Sequence, residues 1–360
     1  MASLEQLGWN DRFASAFAEH AAEGRVAARV VLEHTHIYRV ATGTDELLAR
    51  VSGRMRHQAN TRPDFPGVGD WVVLEPLAES DGRIHAVLPR SSKFSRRAAG
   101  DPTEEQVVAA NIDVVFLVGG LDNDFNPRRI ERYLVVAWES GATPVIVLNK
   151  ADVVDDPEQF AEQVRASAPG IDVHTVSAKQ PETLDALRAH LGLGRTAALL
   201  GSSGVGKSTI VNRLIGHELL RTRDVRITDS RGRHTSTARQ LVVLGDNGIL
   251  IDTPGMRELQ LWDAGQSLEE AFPDVEALAA GCRFRDCSHA HEPGCAVRAA
   301  SKSGELPPGR YENYLKLAAE REHQQRQLDD RAMLEAKRQS KVVSKAANRF
   351  IKAKKNSRER

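Results

Sequence analysis

Cysteine is scarce in this 360-residue chain: there are only three, and all lie between positions 282 and 295. Three clustered cysteines cannot pair into a set of disulfides, which excludes a small secreted scaffold held together by disulfide bonds. Clustered thiols are more typical of a metal site.

Long apolar runs are also missing, because no stretch approaches the roughly 18 residues that a membrane-spanning helix needs. The first residues, MASLEQLGWNDRFASAF, lack the basic-then-apolar order of a secretory signal. We therefore expect a cytoplasmic protein with no membrane partner. The length allows two or three domains, since single cores rarely exceed about 250 to 300 residues.

No charge sign dominates, because 49 Lys and Arg balance 49 Asp and Glu. The distribution is uneven, however: residues 331–360 hold eleven Lys or Arg and two Glu, so the rest of the chain is acidic. A basic tail on an acidic protein predicts a polyanionic partner such as nucleic acid. The alternative is a solvated tail without a partner.

Residues 25–95 alternate short β-forming runs with turn residues at roughly ten-residue spacing. This pattern predicts a small barrel, and its length suits a five-stranded OB-fold, which often binds oligonucleotides. Arginines and aromatic residues in and beside these runs are candidates for RNA contacts; they are Arg29, Arg39, Arg50, Arg54, Arg56, Arg62, Tyr38, Phe65 and Trp71. Alternatively, the aromatic residues form the core and the arginines an ordinary solvated face.

Residues 96–265 follow a different pattern. Continuous apolar runs alternate with helix-like stretches at 127–140, 157–168, 181–191 and 207–217. Such alternation predicts buried, mostly parallel strands in a doubly wound α/β domain. Ligands of these sheets bind at the carboxyl ends of the strands.

The sequence GSSGVGKST follows one apolar run, TAALL, and opens a helix-like stretch. It matches the P-loop pattern, in which glycines let backbone N–H groups surround phosphates. We predict that Lys207 contacts the β- and γ-phosphates and contributes to catalysis, and that the Ser208 hydroxyl ligates Mg²⁺. The residues expected to bind nucleotide here are Gly201, Ser202, Ser203, Gly204, Val205, Gly206, Lys207, Ser208 and Thr209.

The sequence NKAD at 149–152 ends another apolar run, PVIVL. The Asp152 carboxylate can accept hydrogen bonds from the ring N–H and exocyclic amine of guanine, which adenine does not present in that arrangement. Asn149 would pair with the guanine edge and brace the loop, while the Lys150 stem would lie along the base. Four residues alone could be a solvated strand-end turn, but the P-loop favours a guanine site. The stretch Ser177, Ala178 and Lys179 can support the base with main-chain N–H groups.

The sequence IDTPG at 251–255 supplies a third element. Asp252 can hold Mg²⁺ through water, and the Gly255 N–H can sense the γ-phosphate. The polar stretch DSRGRHTSTARQ precedes it and is of the kind that becomes ordered around a nucleotide. Either Thr235 or Thr237 could ligate Mg²⁺, and the sequence leaves this choice open.

These elements stand in an unusual order, with the guanine loop ahead of the P-loop. A sheet tolerates this order because its strand-end loops meet in space and domain termini often lie close together. A circular permutation therefore preserves the site. It also leads the segment after IDTPG directly into the cysteine region.

The cysteine region reads CRFRDCSHAHEPGC. Cys282, Cys287, His289 and Cys295 would form the closed tetrahedral site that structural zinc prefers. His291 is the competing histidine, and three reduced, buried cysteines without a metal are the alternative. We place this site in a helical domain over residues 266–330, followed by the basic tail.

Taken together, PGVGDWV, NKAD, GSSGVGKST, GRHTST, DTPGMRE and CRFRDCSHAHEPGCAV resemble the bacterial ribosome-small-subunit-dependent GTPase A (RsgA) family over nearly the whole chain. The resemblance implies an OB-fold domain, a circularly permuted GTPase domain and a C-terminal zinc-binding domain. It also implies a role in late maturation of the small ribosomal subunit, which stimulates the GTPase. The three zinc-binding cysteines and His289 match the family pattern, as do the guanine and phosphate loops.

Two positions bear on catalysis. His234-Thr235-Ser236-Thr237 stands where relatives often have His-Thr-Thr-Thr, so hydroxyl groups are retained. Met256 follows Gly255, where many small GTPases carry a glutamine that orients the attacking water, and a thioether cannot do this. We predict slow intrinsic hydrolysis, with water positioned by His234 or by a ribosomal group. His234 could equally be an exposed histidine without a catalytic role.

We therefore predict a monomeric GTPase with an extension at 1–24, a barrel at 25–95, a permuted GTPase domain at 96–265, a zinc domain at 266–330 and a tail at 331–360. It would bind small-subunit rRNA in its GTP state and leave after hydrolysis to GDP. One alternative is an RNA-binding module whose nucleotide site is only structural. Another is a P-loop kinase or ATPase.

Overall fold

The computed structural model describes residues 1–21, 24–34, 36–77, 80–98, 101–216, 239–252 and 265–356. A five-stranded barrel follows helix α1 (Asp11–Ala21). Its strands are β1 (Val26–His34), β2 (Ile37–Ala41), β3 (Glu46–Val51), β4 (Trp71–Pro76) and β5 (Asp81–Val87), with helix α2 (Gly53–Gln58) between β3 and β4. The barrel closes because β4 pairs with both β5 and β1, while β3 and β5 run parallel. The predicted OB-fold is confirmed.

Side chains of β1 alternate between two buried environments. Ala28 and Val30 point into the barrel core beside Tyr38. Trp71, at the start of β4, lies instead in a separate cluster with the N-terminal segment, and its ring centroid is 4.7 Å from that of Trp9. Tyr38 and Trp71 are almost fully buried. The interpretation of these two aromatics as RNA-stacking residues is therefore wrong, and they are core residues.

Arg29 lies on the outward face of β1 yet is 1% exposed. Its guanidinium donates hydrogen bonds to three backbone carbonyls, those of Leu7, Gly69 (3.2 Å) and Asn111 (3.0 Å). Burial lowers the pKa of Arg29 to about 10, so the group stays charged at neutral pH. Arg29 joins the N-terminal segment, the barrel and the central domain. It is therefore not available to contact RNA, and its prediction as an RNA-contacting residue is wrong.

The central sheet continues from the barrel after a hairpin of β6 (Lys93–Ala98) and β7 (Asp101–Ala110). Its strands are β8 (Val114–Gly120), β9 (Thr143–Asn149), β10 (Val173–Thr175), β11 (Thr196–Gly201), β12 (Arg239–Val243) and β13 (Ile249–Asp252). The order is β10-β9-β8-β11-β13-β12, and only β12 is antiparallel to its neighbour. The predicted doubly wound, mostly parallel sheet is confirmed. Strand β12 also pairs with β1, which joins sheet and barrel.

Local sequence explains the helices of this domain. The bounds of α3 (Pro127–Ser140) agree with the prediction because the Asn126 side chain caps its start and Gly141, at φ 83°, ends it. The other helices here are α4 (Pro157–Ser167), α5 (Asp185–Arg188) and α6 (Lys207–Ile215). The helix predicted at 181–191 is shorter than expected, because a 3₁₀ turn, Pro181–Leu184, replaces its first part.

The C-terminal region is helical, as predicted. It contains α7 (Gly265–Ala271), α8 (Pro273–Ala279), α9 (Ala296–Ser303) and α10 (Pro308–Asn356). Arg310 on α10 donates to Asp274 on α8 at 2.6 Å and to Glu131 on α3 at 3.0 Å, so it fastens this region to the central domain. Among the described helices, none combines the length and the apolarity needed to span a bilayer.

Candidate functional site

The P-loop connects the end of β11 to the start of α6. Gly204 and Gly206 have φ values of 76° and 101°, which side-chain-bearing residues rarely adopt. The Lys207 ammonium lies over the loop, because its Nζ donates to the carbonyls of Gly201 at 2.8 Å and Ser202 at 2.6 Å. The loop geometry and the lysine position agree with the phosphate-binding pattern.

Asn149 joins three loops that are far apart in sequence. Its Nδ2 donates to the Val205 carbonyl at 2.7 Å, and its Oδ1 accepts from the Ala178 N–H at 3.0 Å. A Cβ on Gly206 would lie 2.3 Å from Nδ2, so only glycine lets the P-loop approach this amide. Asn149 is 2% exposed and braces the loops, as the sequence suggested. Of the main-chain N–H groups in the stretch Ser177 to Lys179 that were predicted to support the base, the one of Ala178 donates to Asn149.

Asp152 is held by two residues of the predicted base-supporting stretch. Its Oδ1 accepts from Ser177 Oγ at 2.7 Å, and its Oδ2 accepts from Lys179 Nζ at 2.7 Å. Lys179 and then Ser177 lower the pKa of Asp152, so the carboxylate is ionised at neutral pH. An ionised acceptor at this position is what recognition of two guanine donors requires.

Two carboxylates after β8, Asp122 and Asp124, belong to the same site, and neither was predicted from the sequence. Asp122 accepts from Lys150 Nζ at 2.6 Å. Asp124 accepts from Ser202 Oγ of the P-loop and from Arg129 Nη1, the latter at 2.5 Å. Strand β8 lies between β9 and β11, so its terminal loop lies between the other two loops. Acidic residues after a neighbouring parallel strand were the signal that could have identified them.

Other predicted site residues are described in part or not at all. Asp252 ends β13, and its backbone is in register with Gln240 of β12. Ser208 lies in the first turn of α6 and is exposed. His234, Thr235, Ser236 and Thr237 lie outside the described residues, as do Gly255 and Met256.

The C-terminal region brings together the four predicted metal ligands. The His289 Nδ1 lies 3.6 Å from Cys282 Sγ and 3.5 Å from Cys295 Sγ, and the two sulfurs are 3.9 Å apart. All four ligand atoms, including Cys287 Sγ, lie within 4.8 Å of one another. Tetrahedral zinc with bonds of about 2.3 Å to sulfur and 2.0 Å to nitrogen needs ligand separations of about 3.5 to 3.8 Å. These residues therefore fit zinc.

The backbone around His289 favours it over His291 as the ligand. His289 has a left-handed φ of 62°, is 7% exposed, and its carbonyl accepts from Tyr311 Oη at 2.7 Å. His291 is exposed and takes no part in the cluster. The histidine two positions after the second cysteine is therefore the one placed to bind.

We expect the wild-type protein to retain one zinc ion per chain through gel filtration and Cys287→Ser to lose it. A hydroxyl is a poor substitute for a thiolate in a closed zinc site. We also expect a lower midpoint of thermal unfolding. Metal content measured by elemental analysis checks the first result, and circular dichroism checks the second.

His291→Gln is the matched control, since it changes a neighbouring histidine outside the cluster. It should keep its zinc and its unfolding midpoint. Zinc retained by Cys287→Ser, or lost from His291→Gln, would show that the ligand set is wrong.

The segment between the first two cysteines forms an exposed basic loop. Arg283, Phe284 and Arg285 are all exposed, and the Arg283 guanidinium lies 5.4 Å from the centre of the Phe284 ring. A Cβ on Gly294 would lie 3.1 Å from the Arg283 Cβ, so this glycine gives the loop room. The metal-ligand cluster thus presents an aromatic ring flanked by two positive charges.

Comparison with known proteins adds to this geometry. The sequence profile of the RsgA GTPase family matches residues 87–262. The chain is 48% identical over 337 residues to the "Small ribosomal subunit biogenesis GTPase RsgA" of Opitutus terrae, covering 91% of this chain and 92% of the relative. A protein of the same name from Xanthomonas euvesicatoria is 47% identical over 331 residues, covering 88% of each chain.

Solved structures agree with the fold. The crystal structure of YjeQ from Thermotoga maritima matches with a TM-score of 0.61 at 28% identity, covering 82% of this chain and 98% of that one. YloQ, described as a circularly permuted GTPase, matches with a TM-score of 0.59 at 23% identity, covering 83% of this chain and 96% of that one, and shows the fold alone. The extent and identity of the sequence matches settle the relationship: the chain belongs to the RsgA family of GTPases.

Proposed function

We propose that this protein hydrolyses GTP as a late maturation factor of the small ribosomal subunit, binding its rRNA in the GTP state and leaving after hydrolysis. The observation that carries the proposal is the Asn149 amide, which joins the guanine loop, the Ser177–Lys179 stretch and the P-loop into one site. Relatives that match this chain over most of its length are named small ribosomal subunit biogenesis GTPases.

Guanine selection rests on Asp152. Its two carboxylate oxygens face Ser177 and Lys179, and Lys179 is largely exposed, with 76% of its side chain accessible. When the base arrives, Lys179 leaves Oδ2, and the ring N–H and exocyclic amine of guanine donate to the carboxylate instead. Adenine cannot complete this pair of hydrogen bonds, so ATP would leave a charged acceptor unsatisfied.

Phosphate binding rests on Lys207, Ser208 and the backbone of the P-loop. Lys207 leaves the Gly201 and Ser202 carbonyls to neutralise the β- and γ-phosphates, and Asp124 holds the loop through the Ser202 hydroxyl. Mg²⁺ would be held by Ser208 with a switch hydroxyl, for which we propose Thr235. Asp252 and Gly255 would complete the γ-phosphate response, and His234 would orient water.

Contacts to rRNA are proposed from three surfaces. Arg39 and Arg50 are exposed on β2 and β3, the strands whose face binds oligonucleotides in OB-folds. The loop at 283–285 offers a ring for base stacking with flanking charges. The basic residues of 331–360 add phosphate contacts, so binding should weaken with salt. Such a protein works as a monomer in the cytoplasm, where ribosomes assemble, with zinc at Cys282, Cys287, His289 and Cys295.

The test is steady-state GTP hydrolysis by the purified protein, alone and with small subunits, large subunits or bare rRNA. We expect a slow intrinsic rate, because Met256 cannot orient water, and stimulation by small subunits of at least about tenfold. Large subunits and bare rRNA should have much smaller effects. Equal rates under all conditions would overturn the ribosomal proposal, and equal use of ATP would favour a P-loop ATPase instead.

A further inference from the structure

A second cluster of metal-ligating side chains, separate from Cys282, Cys287, His289 and Cys295, lies at the edge of the central sheet. Asp172 precedes the edge strand β10, His174 lies within it, and His190 follows helix α5. One ligand atom from each lies within 4.8 Å of the other two. We propose that these three residues bind a divalent transition-metal ion of the Zn²⁺ or Ni²⁺ type, in addition to the ion at the cysteines.

The backbone fixes the positions of all three residues. Asp172 directly precedes β10, two positions before His174, and its carboxylate lies within 4.8 Å of both histidine nitrogens. The Asp172 carbonyl accepts from the Ile146 N–H at 2.9 Å, and His174 is in register with Val147. Pairing with β9 therefore fixes the position of β10 along the strand direction. The His190 N–H donates to the Leu187 carbonyl at 3.1 Å, and its ring packs edge-on against Phe116.

The distances suit a metal with little rearrangement. The Nε2 atoms of His174 and His190 are 2.8 Å apart, and the Asp172 Oδ2 is 4.0 Å from His190 Nε2. At 2.8 Å the two rings share one hydrogen bond, in which one Nε2 donates and the other accepts. Two nitrogens bound to tetrahedral zinc are about 3.3 Å apart, which needs a shift of about half an ångström. Imidazole suits zinc, nickel and copper, and the carboxylate supplies the negative charge.

The environment favours an open site of moderate affinity. The side chain of His190 is 19% exposed and that of Asp172 is 68% exposed, so water can occupy the remaining coordination positions. Arg195 lies near enough to act electrostatically on His190 and opposes a bound cation, while Asp172 has the opposite effect. Three protein ligands with solvent access resemble the arrangement of exchangeable zinc sites rather than closed structural ones.

A bound ion would connect the supports of two nucleotide-binding loops. Strand β10 ends two residues before Ser177, and the segment from His190 leads into β11 and the P-loop. Coordination would replace one hydrogen bond between the two histidines with three bonds to a common centre. Opening of β10 away from β9 should then become slower.

The test uses full-length protein dialysed against Zn²⁺ and counted for metal by elemental analysis. Wild type should hold about two ions per chain, and His190→Gln and Cys287→Ser should each lose one, while the double variant loses both. His174→Gln should behave like His190→Gln, and His57→Gln, at an exposed histidine on α2, should lose none. Thermal unfolding of each variant confirms that the sheet is folded.

Hydrogen exchange supplies a second readout. Zn²⁺ should slow exchange of the amides of β10 and of Val176, which donates to the Leu148 carbonyl of β9, in wild type and leave it unchanged in His190→Gln. If His190→Gln and His174→Gln bind as much metal as wild type, the cluster is only a pair of hydrogen-bonded histidines and the proposal is wrong. If His57→Gln loses as much metal as His190→Gln and His174→Gln, the second ion is spread over surface histidines, and the proposal is also wrong.

Discussion

Asp152→Asn should exchange guanine specificity for xanthine specificity. The carboxylate accepts from two guanine donors, and losing two charge-assisted hydrogen bonds of about 1.5 to 3 kcal/mol each should weaken GTP binding by about 100-fold or more. The asparagine amide donates where the carboxylate accepted, and xanthine carries a carbonyl where guanine carries its amine. Xanthosine triphosphate should therefore bind and be hydrolysed by the variant better than GTP.

Competition between the two nucleotides for a fluorescent GTP analogue measures this exchange. Asp155→Asn is the matched control, because it removes an exposed carboxylate three residues away and should leave both affinities unchanged. An unaltered preference for GTP in Asp152→Asn would exclude NKAD as the base-reading loop, whatever the protein does on the ribosome.

Lys207→Ala should lower the GTP hydrolysis rate by at least about 100-fold, the usual effect of removing one preorganised donor from developing transition-state charge. The lysine lies over the P-loop at the surface of the site and donates to the backbone carbonyls of Gly201 and Ser202, which water can reach when the side chain is shortened. The fold should persist. Single-turnover hydrolysis with saturating GTP separates this loss from weaker binding.

Arg213→Ala serves as its control, since Arg213 is an exposed cation on the same helix, α6. It should keep the wild-type rate, and both variants should unfold at the wild-type temperature. Turnover retained by Lys207→Ala would mean that the P-loop pattern does not mark the reaction site.

Features set by local sequence were predicted well. Helix α3 has a capping asparagine, a proline in its first turn and a glycine after its end, and these act within a few residues. The guanine loop and P-loop each follow a buried strand, and parallel strands bring their carboxyl ends to one edge. Asn149 was therefore expected beside the nucleotide site, although its hydrogen bond to Val205 depends on the order of strands in space.

Features set by contacts between distant segments were not predictable. Arg29 and Trp71 lie in strands where one face usually meets solvent, and nothing in the barrel sequence shows that the N-terminal segment covers that face. Asp124 lies 78 positions from Ser202, and their hydrogen bond depends on β8 lying next to β11. The pairing of β1 with β12 likewise depends on the register between two domains.

The position of β11 in the sheet has a consequence for the order in which the protein is made. Within the central domain, strands β8, β9 and β10 leave the ribosome before β11, and they can pair with one another at once. The other edge of β8 keeps its N–H and C=O groups unpaired until β11 is synthesised, about 50 residues after β9 ends, and unpaired edges attract other chains. Because of the permutation, the strands that carry the guanine loop form a partial sheet with one unpaired edge during synthesis. The strand that precedes the P-loop, β11, then pairs with that edge and protects it from other chains.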